Sequence, residues 1–157
     1  MSFDLSIPAV ALVFLLLLSA FFSGSETALT AASRARLTEL ERRGNWRASV
    51  ALSLTKSRER LIGALLLGNN VVNISASALA TAVLLKAFGD SGAIIASVAM
   101  TVLVLIFGEV MPKTYAIAYP ERVALAVAPI MRVLVPVFGP VVIAVEFFVR
   151  RILRLFG

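Results

Sequence analysis

Apolar and polar positions divide the chain into long apolar runs separated by short polar ones. Ile7 to Phe22 is apolar, and Ala28 to Ala32 continues it beyond Ser23-Gly24-Ser25-Glu26-Thr27. A cleaved signal peptide would begin with a basic segment, yet no Lys or Arg precedes Arg34. The stretch therefore predicts one long helix over 6–33, entering from outside. A second run, Leu61 to Leu85, carries Gly68-Asn69-Asn70, Asn73, Ser75 and Ser77. After the turn signal Gly89-Asp90-Ser91-Gly92, a third run starts at Ala93 and passes through Gly108-Glu109-Val110-Met111-Pro112-Lys113. Each run reaches the roughly 18–20 residues needed to cross hydrocarbon. The pattern predicts an all-α integral membrane fold, one transmembrane domain over residues 1–157, with spans at about 6–33, 60–86 and 92–118.

The fourth apolar stretch, Val123 to Val149, contains Pro129, Pro136, Pro140, Gly139, Arg132 and Glu146. It is basic at both ends, with Arg122 before it and Arg150, Arg151 and Arg154 after it. A full crossing would leave one basic cluster outside, against the positive-inside rule. Broken juxtamembrane helices over about 120–157, lying at the cytoplasmic interface, satisfy that rule better than a fourth span. Between the first two spans, Arg34 to Arg60 reads as a solvated cytoplasmic hairpin with Trp46 at the interface.

Composition agrees with a membrane protein. The 157 residues are 60% hydrophobic, against roughly 45–50% in soluble domains. Net charge is +6, but eight of fifteen basic residues lie between Arg34 and Arg60 and five more from Arg122 onward. That is membrane-flank bias, not a nucleic-acid footprint. The chain has no Cys and no His. This removes thiolate and imidazole ligands and the commonest catalytic base, so an enzyme is not expected. Any metal site must use oxygen, which favours Mg²⁺, Ca²⁺ or an alkali ion.

Glu109 is the candidate on which the rest turns. A carboxylate inside a span is a functional-site hypothesis by default. Pro112 has no N–H, so the Gly108 carbonyl loses its helical partner beside Glu109. Asn70, Asn73 and Ser77 share a face at i, i+3, i+7; a ligand role for Asn70 competes with interhelical hydrogen bonding. Ser19 and Ser23 share a face at i, i+4. With a rise of 1.5 Å per residue, Ser23 and Glu109 each lie roughly 24 Å in from outside, and Asn70 roughly 14 Å in from the cytoplasm. All three fall at one level. Lys113 marks the interface by snorkelling or pairs with Glu26. The ion's identity does not follow from these residues.

Phe21-Phe22-Ser23-Gly24-Ser25-Glu26-Thr27-Ala28-Leu29, Leu67-Gly68-Asn69-Asn70-Val71-Val72-Asn73 and Gly108-Glu109-Val110-Met111-Pro112-Lys113 resemble the membrane domain of the CorC / cyclin M (CNNM) family of magnesium transporters. The resemblance implies a homodimer in the lipid bilayer of the cell (plasma or inner) membrane. Each protomer would have three spans and a belt of juxtamembrane helices, with the N-terminus outside and the C-terminus cytoplasmic. It implies Mg²⁺ export with Na⁺ as counter-ion, by alternating access. Ser23, Asn70 and Glu109 match its Mg²⁺-site motif positions; Ser19, Asn73 and the Gly108 carbonyl carry over from neighbouring positions. It also implies cytosolic CBS-type regulatory domains that bind ATP, absent from this chain, which stops at Gly157. The alternative function is a membrane-anchored Mg²⁺ sensor or scaffold that moves no ions.

Overall fold

The structure, a computed structural model, describes residues 6–157; the N-terminus, expected outside, lies outside the described residues. Every element among them is helical: α1 (Ser6–Ala31), α2 (Arg34–Arg42), α3 (Trp46–Lys56), α4 (Arg58–Phe88), α5 (Asp90–Leu103), a π-helical turn (Val104–Val110), α6 (Met111–Ala118) and α7 (Pro120–Phe156). The α5–π–α6 run is one long rod from Asp90 to Ala118. Helix α1 runs unbroken through Ser23-Gly24-Ser25-Glu26-Thr27. It packs against α4, against the π turn and against α6.

Four helices are long and apolar enough to cross a membrane by length and composition: α1, α4, the α5–α6 rod and α7. Their large apolar side chains stay exposed along whole faces, as Val10, Val13, Phe14, Leu17, Ile74, Ile94 and Val98 do. Exposed apolar surface on this scale suits hydrocarbon.

Most of the core lies at the basic end of the bundle. Phe22 and Leu29 of α1, Leu37 of α2, Ala51 of α3, Leu61 and Leu65 of α4 and Met131 of α7 are buried together there. Towards the other end, a smaller cluster joins Ala76 and Ala80 to Met100. Two expectations change. The Arg34–Arg60 segment is a hairpin of α2 on α3 with Trp46 exposed, but it is not solvated all round, because Leu37, Ala48, Val50, Ala51 and Leu52 are buried. Asn45 caps α3 by accepting from the N–H groups of Arg47 and Ala48, so the helix start is fixed as well. The broken helices expected over 120–157 are one helix of 37 residues. At 100° per residue, Pro129, Pro136 and Pro140 share a face turned away from buried Ala124, Val127, Ala128 and Met131. The hydrogen bonds they delete therefore lie off the packed face of the helix.

The α4–α5 turn requires glycine for space. A Cβ on Gly92 would strike the Leu84 carbonyl oxygen, a backbone atom that cannot step aside. We expect Gly92→Ala to destabilise the detergent-solubilised protein by about 1–3 kcal/mol, the usual cost of overpacking. Gly139→Ala meets nothing within 4 Å and should be neutral or stabilising by up to about 1 kcal/mol. Thermal unfolding of the two variants checks this.

Candidate cation site

Glu109 closes the π turn, and its two carboxylate oxygens face different partners. Asn69 Nδ2 donates to Oε1 at 3.0 Å, and Lys113 Nζ lies 3.1 Å from Oε2. A few residues along α4, Asn73 Oδ1 accepts the Ser19 hydroxyl at 2.6 Å. The same hydroxyl oxygen lies 3.4 Å from Asn69 Oδ1. A serine hydroxyl has one proton, so the shorter contact takes it. Asn73, Ser19, Asn69, Glu109 and Lys113 thus form one continuous polar chain across α4, α1 and the α5–α6 rod.

Backbone features bring these side chains together. The Met111 N–H donates to the Ile106 carbonyl, five residues back, which widens the helix just before Pro112. Pro112 cannot donate to Gly108, so an ordinary α-helical ladder could not continue here in any case. Single π turns of this kind recur at functional sites. Gly108 is buried in the turn. A Cβ there would lie 2.7 Å from Ser19 Oγ, so only glycine lets α1 bring its hydroxyl this close.

Of the sequence candidates, the structure joins Ser19, Asn73, Gly108 and Glu109. Ser23 lies one turn from Ser19, fully buried, and its hydroxyl has no hydrogen-bond partner among the described residues. Buried hydroxyls are rarely left so. Asn70 is exposed and joins none of these bonds. Asn69, quoted in the motif but not selected, is the residue that reaches Glu109. The signal lies in the apolar stripe Leu61, Leu65, Gly68, Val72, Ala76, Ala80, which is buried: Asn69 borders it, and Asn70 falls nearly opposite. Lys113 pairs with Glu109, not Glu26; the Glu–Lys spacing of i, i+4 is a helical pairing signal. No group of three or more acidic, His or Cys side chains that could hold a metal occurs among the described residues, and Glu109 is the carboxylate of this polar chain.

A cleft of about 420 Å³ leads away from Glu109 and Asn73 between α4 and α5, past Ser77, Thr81, Ser97 and Thr101. The Thr81 and Thr101 hydroxyls donate to the carbonyls of Ser77 and Ser97. Their protons are therefore occupied, and the oxygen lone pairs are what remain to a visitor. Ser77 and Ser97 add hydroxyls, and Ala96, Met100, Val104 and Leu105 make the rest of the wall apolar.

Residues 10–157 match the model of the cyclin M transmembrane N-terminal domain. The chain belongs to the cyclin M transmembrane-domain family. It is 41% identical over 140 residues to the UPF0053 inner membrane protein YfjD of Escherichia coli, covering 89% of this chain and 33% of that protein. It is 37% identical to a UPF0053 protein of Haemophilus influenzae, over 99% of this chain and 37% of that one. A Haemophilus influenzae polyamine export protein is 30% identical over 94% of this chain and 37% of its own length. The chain thus spans roughly a third of the first two relatives. With its apolar helices and an inner-membrane relative, this cyclin M domain is a multi-pass membrane protein.

The contact between Gly108 and Ser19 can be tested by a double-mutant cycle. Gly108→Ala should displace the Ser19 hydroxyl and destabilise the protein by about 1–3 kcal/mol. Ser19→Ala removes the atom the new Cβ would strike. The pair should therefore be less harmful than the sum, with a coupling of about 1 kcal/mol in thermal or denaturant unfolding.

Proposed function

We propose that this cyclin M domain is the translocating part of a secondary transporter that exports Mg²⁺, with Na⁺ as the counter-ion and access alternating across the membrane. The observation that carries the reading is the oxygen cluster of Ser19, Asn69, Asn73 and Glu109 beside the π turn. Adjacent ligands of a Mg²⁺ ion held octahedrally at 2.0–2.1 Å are about 2.9 Å apart. Ser19 Oγ lies 2.6 Å and 3.4 Å from the two amide oxygens, so small side-chain shifts would bring these oxygens to that spacing. The Gly108 carbonyl and the orphaned Ser23 hydroxyl are the natural further donors. In this reading Lys113 is the counter-charge of Glu109 when no cargo is bound, and it must leave for a cation to enter.

Three spans per protomer, with α7 as a juxtamembrane helix, and assembly as a homodimer belong to the same proposal. In support of α7's position, Ser33 N–H donates to Glu121 Oε1 at 3.3 Å, and a Cβ on Gly63 would strike Val142. Both contacts fall near the basic ends of α1 and α4, where positive-inside bias puts the cytoplasm. The N-terminus would then be outside.

A second cargo class is favoured by one observation. Lys113 already places an alkylammonium on Glu109, and a relative is named a polyamine export protein. A polyamine's terminal ammonium would use the same carboxylate.

Glu109→Gln should abolish Mg²⁺ binding to purified protein by calorimetry, whereas Lys113→Met should raise Mg²⁺ affinity roughly tenfold, a change of 1.4 kcal/mol. In proteoliposomes, Mg²⁺ flux should depend on an opposing Na⁺ gradient. Unchanged Mg²⁺ affinity in Glu109→Gln would sink the site. Mg²⁺ binding without flux would favour the sensor or scaffold, and spermidine flux without Mg²⁺ flux would favour the second cargo.

A further inference from the structure

A second cleft, of about 550 Å³, opens at the basic end of the bundle, away from Glu109. Ser53 of α3, Ser57 at the α3–α4 junction and Arg60 in the first turns of α4 form one wall. Arg132, Pro136 and Ile143 of α7 form much of the other. Both arginines are exposed. Neither belongs to any of the three ion pairs among the described residues, which join Arg43 to Glu39, Lys113 to Glu109 and Arg150 to Glu146. Glu59, the nearest carboxylate in sequence to Arg60, does not line the cleft.

Two guanidinium groups lining one cleft with no carboxylate among its walls make it positive and favour an anion there. The same end of the cleft adds further attraction. Ser57 precedes a helix of 31 residues, and its side chain makes no capping bond, so the first N–H groups of α4 and their partial positive charge remain available to an anion. The Ser53 and Ser57 hydroxyls can donate as well. The α7 side is different, because Pro136 and Ile143 offer hydrocarbon.

We propose that this cleft binds the phosphate headgroup of an anionic phospholipid, with Arg60 and Arg132 clamping the phosphate and an acyl chain lying along the apolar α7 wall. Guanidinium groups match phosphate oxygens in pairs. The positive-inside rule assigns this basic end to the cytoplasmic leaflet, where anionic lipids are found and where basic clefts between helices bind their headgroups. A free phosphate shares the headgroup chemistry but gains nothing from the α7 wall. The bound lipid would tie α7 to the α3–α4 junction.

The test is lipid binding to the purified whole chain by native mass spectrometry, with phosphatidylglycerol, phosphatidylcholine and inorganic phosphate as probes. Each arginine removed should weaken phosphatidylglycerol binding roughly fivefold, so Arg60→Gln with Arg132→Gln should cost about 25-fold. Arg58→Gln, exposed but outside the cleft, should change it less than twofold. Inorganic phosphate at millimolar concentration should fail to displace the lipid. If the double variant loses helical circular dichroism, Arg132→Gln alone carries the test with its fivefold loss. Phosphatidylglycerol binding within twofold of the unaltered chain in the arginine variants would overturn the site. Displacement by inorganic phosphate, or equal binding of phosphatidylcholine, would overturn its assignment to an anionic lipid.

Discussion

A carboxylate among apolar helices must find donors or positive charge, since an ionised group left alone there is costly. Glu109 finds both, in Asn69 and Lys113, and each comes with structural conditions. Asn69 can reach it only if α4 lies against the α5–α6 rod at that depth. Lys113 can reach it only if the helix resumes after Pro112, so that residues four apart share a face. The π turn meets the second condition while absorbing the hydrogen bond that proline removes. Gly108 lets α1 approach closely enough for Ser19 to hold Asn73. Breaking one partner of such a group leaves the other charge unmatched, which is why buried polar networks are costly to disturb.

Around this network the bundle is unevenly built. The basic end is knit by side chains of five helices, α1, α2, α3, α4 and α7. The opposite half is held by a cluster of three buried residues on α4 and α5, and it contains the oxygen-lined cleft. Regions with few buried apolar contacts open at lower free energy than well-packed ones. The network therefore sits between a collar that resists movement and a half that can part more readily. That asymmetry suits a site that faces one side of a membrane and then the other.

Much of this was readable from residue order. Apolar run length gave the long helices, and the absence of His and Cys left oxygen as the ligand. Polarity marks Glu109, Pro112 marks the Gly108 carbonyl, and helical spacing marks the faces of Ser19 and Asn73; joining them into one site comes from the family resemblance. What escaped was rotational detail. Asn69 and Asn70 are adjacent, so 100° of helix rotation decides between them, and the face was assigned from polar spacing instead of from the apolar stripe. The π turn leaves no clear mark in Val104-Leu105-Ile106-Phe107-Gly108-Glu109-Val110 itself; only Pro112, beyond it, hints that the ladder must change. Prolines likewise suggest breaks in α7 that their placement off its packed face avoids. The burial of the Leu37–Leu52 segment depends on α7 packing over it, a contact distant in sequence.

Charge balance sharpens the choice of cargo. Glu109 with Lys113 is neutral. A monovalent cation or an ammonium that takes the place of Lys113 restores neutrality, whereas a divalent ion leaves one positive charge that neutral oxygens must carry. In an apolar setting that excess is costly, and moving it through 100 mV changes its energy by about 2.3 kcal/mol. Mg²⁺ also gives up its water reluctantly, so a Mg²⁺ carrier built on one carboxylate needs several strong dipoles close by. Ser19 Oγ lies within hydrogen-bond reach of both the Asn69 and the Asn73 amide oxygens, and the Ser23 hydroxyl has no hydrogen-bond partner among the described residues. An ammonium would need acceptors alone and would leave the Asn69 amide on Glu109 undisturbed. Under the proposed function, it is the number of oxygens gathered here, more than one ammonium requires, that favours a dehydrated metal ion over an ammonium as cargo.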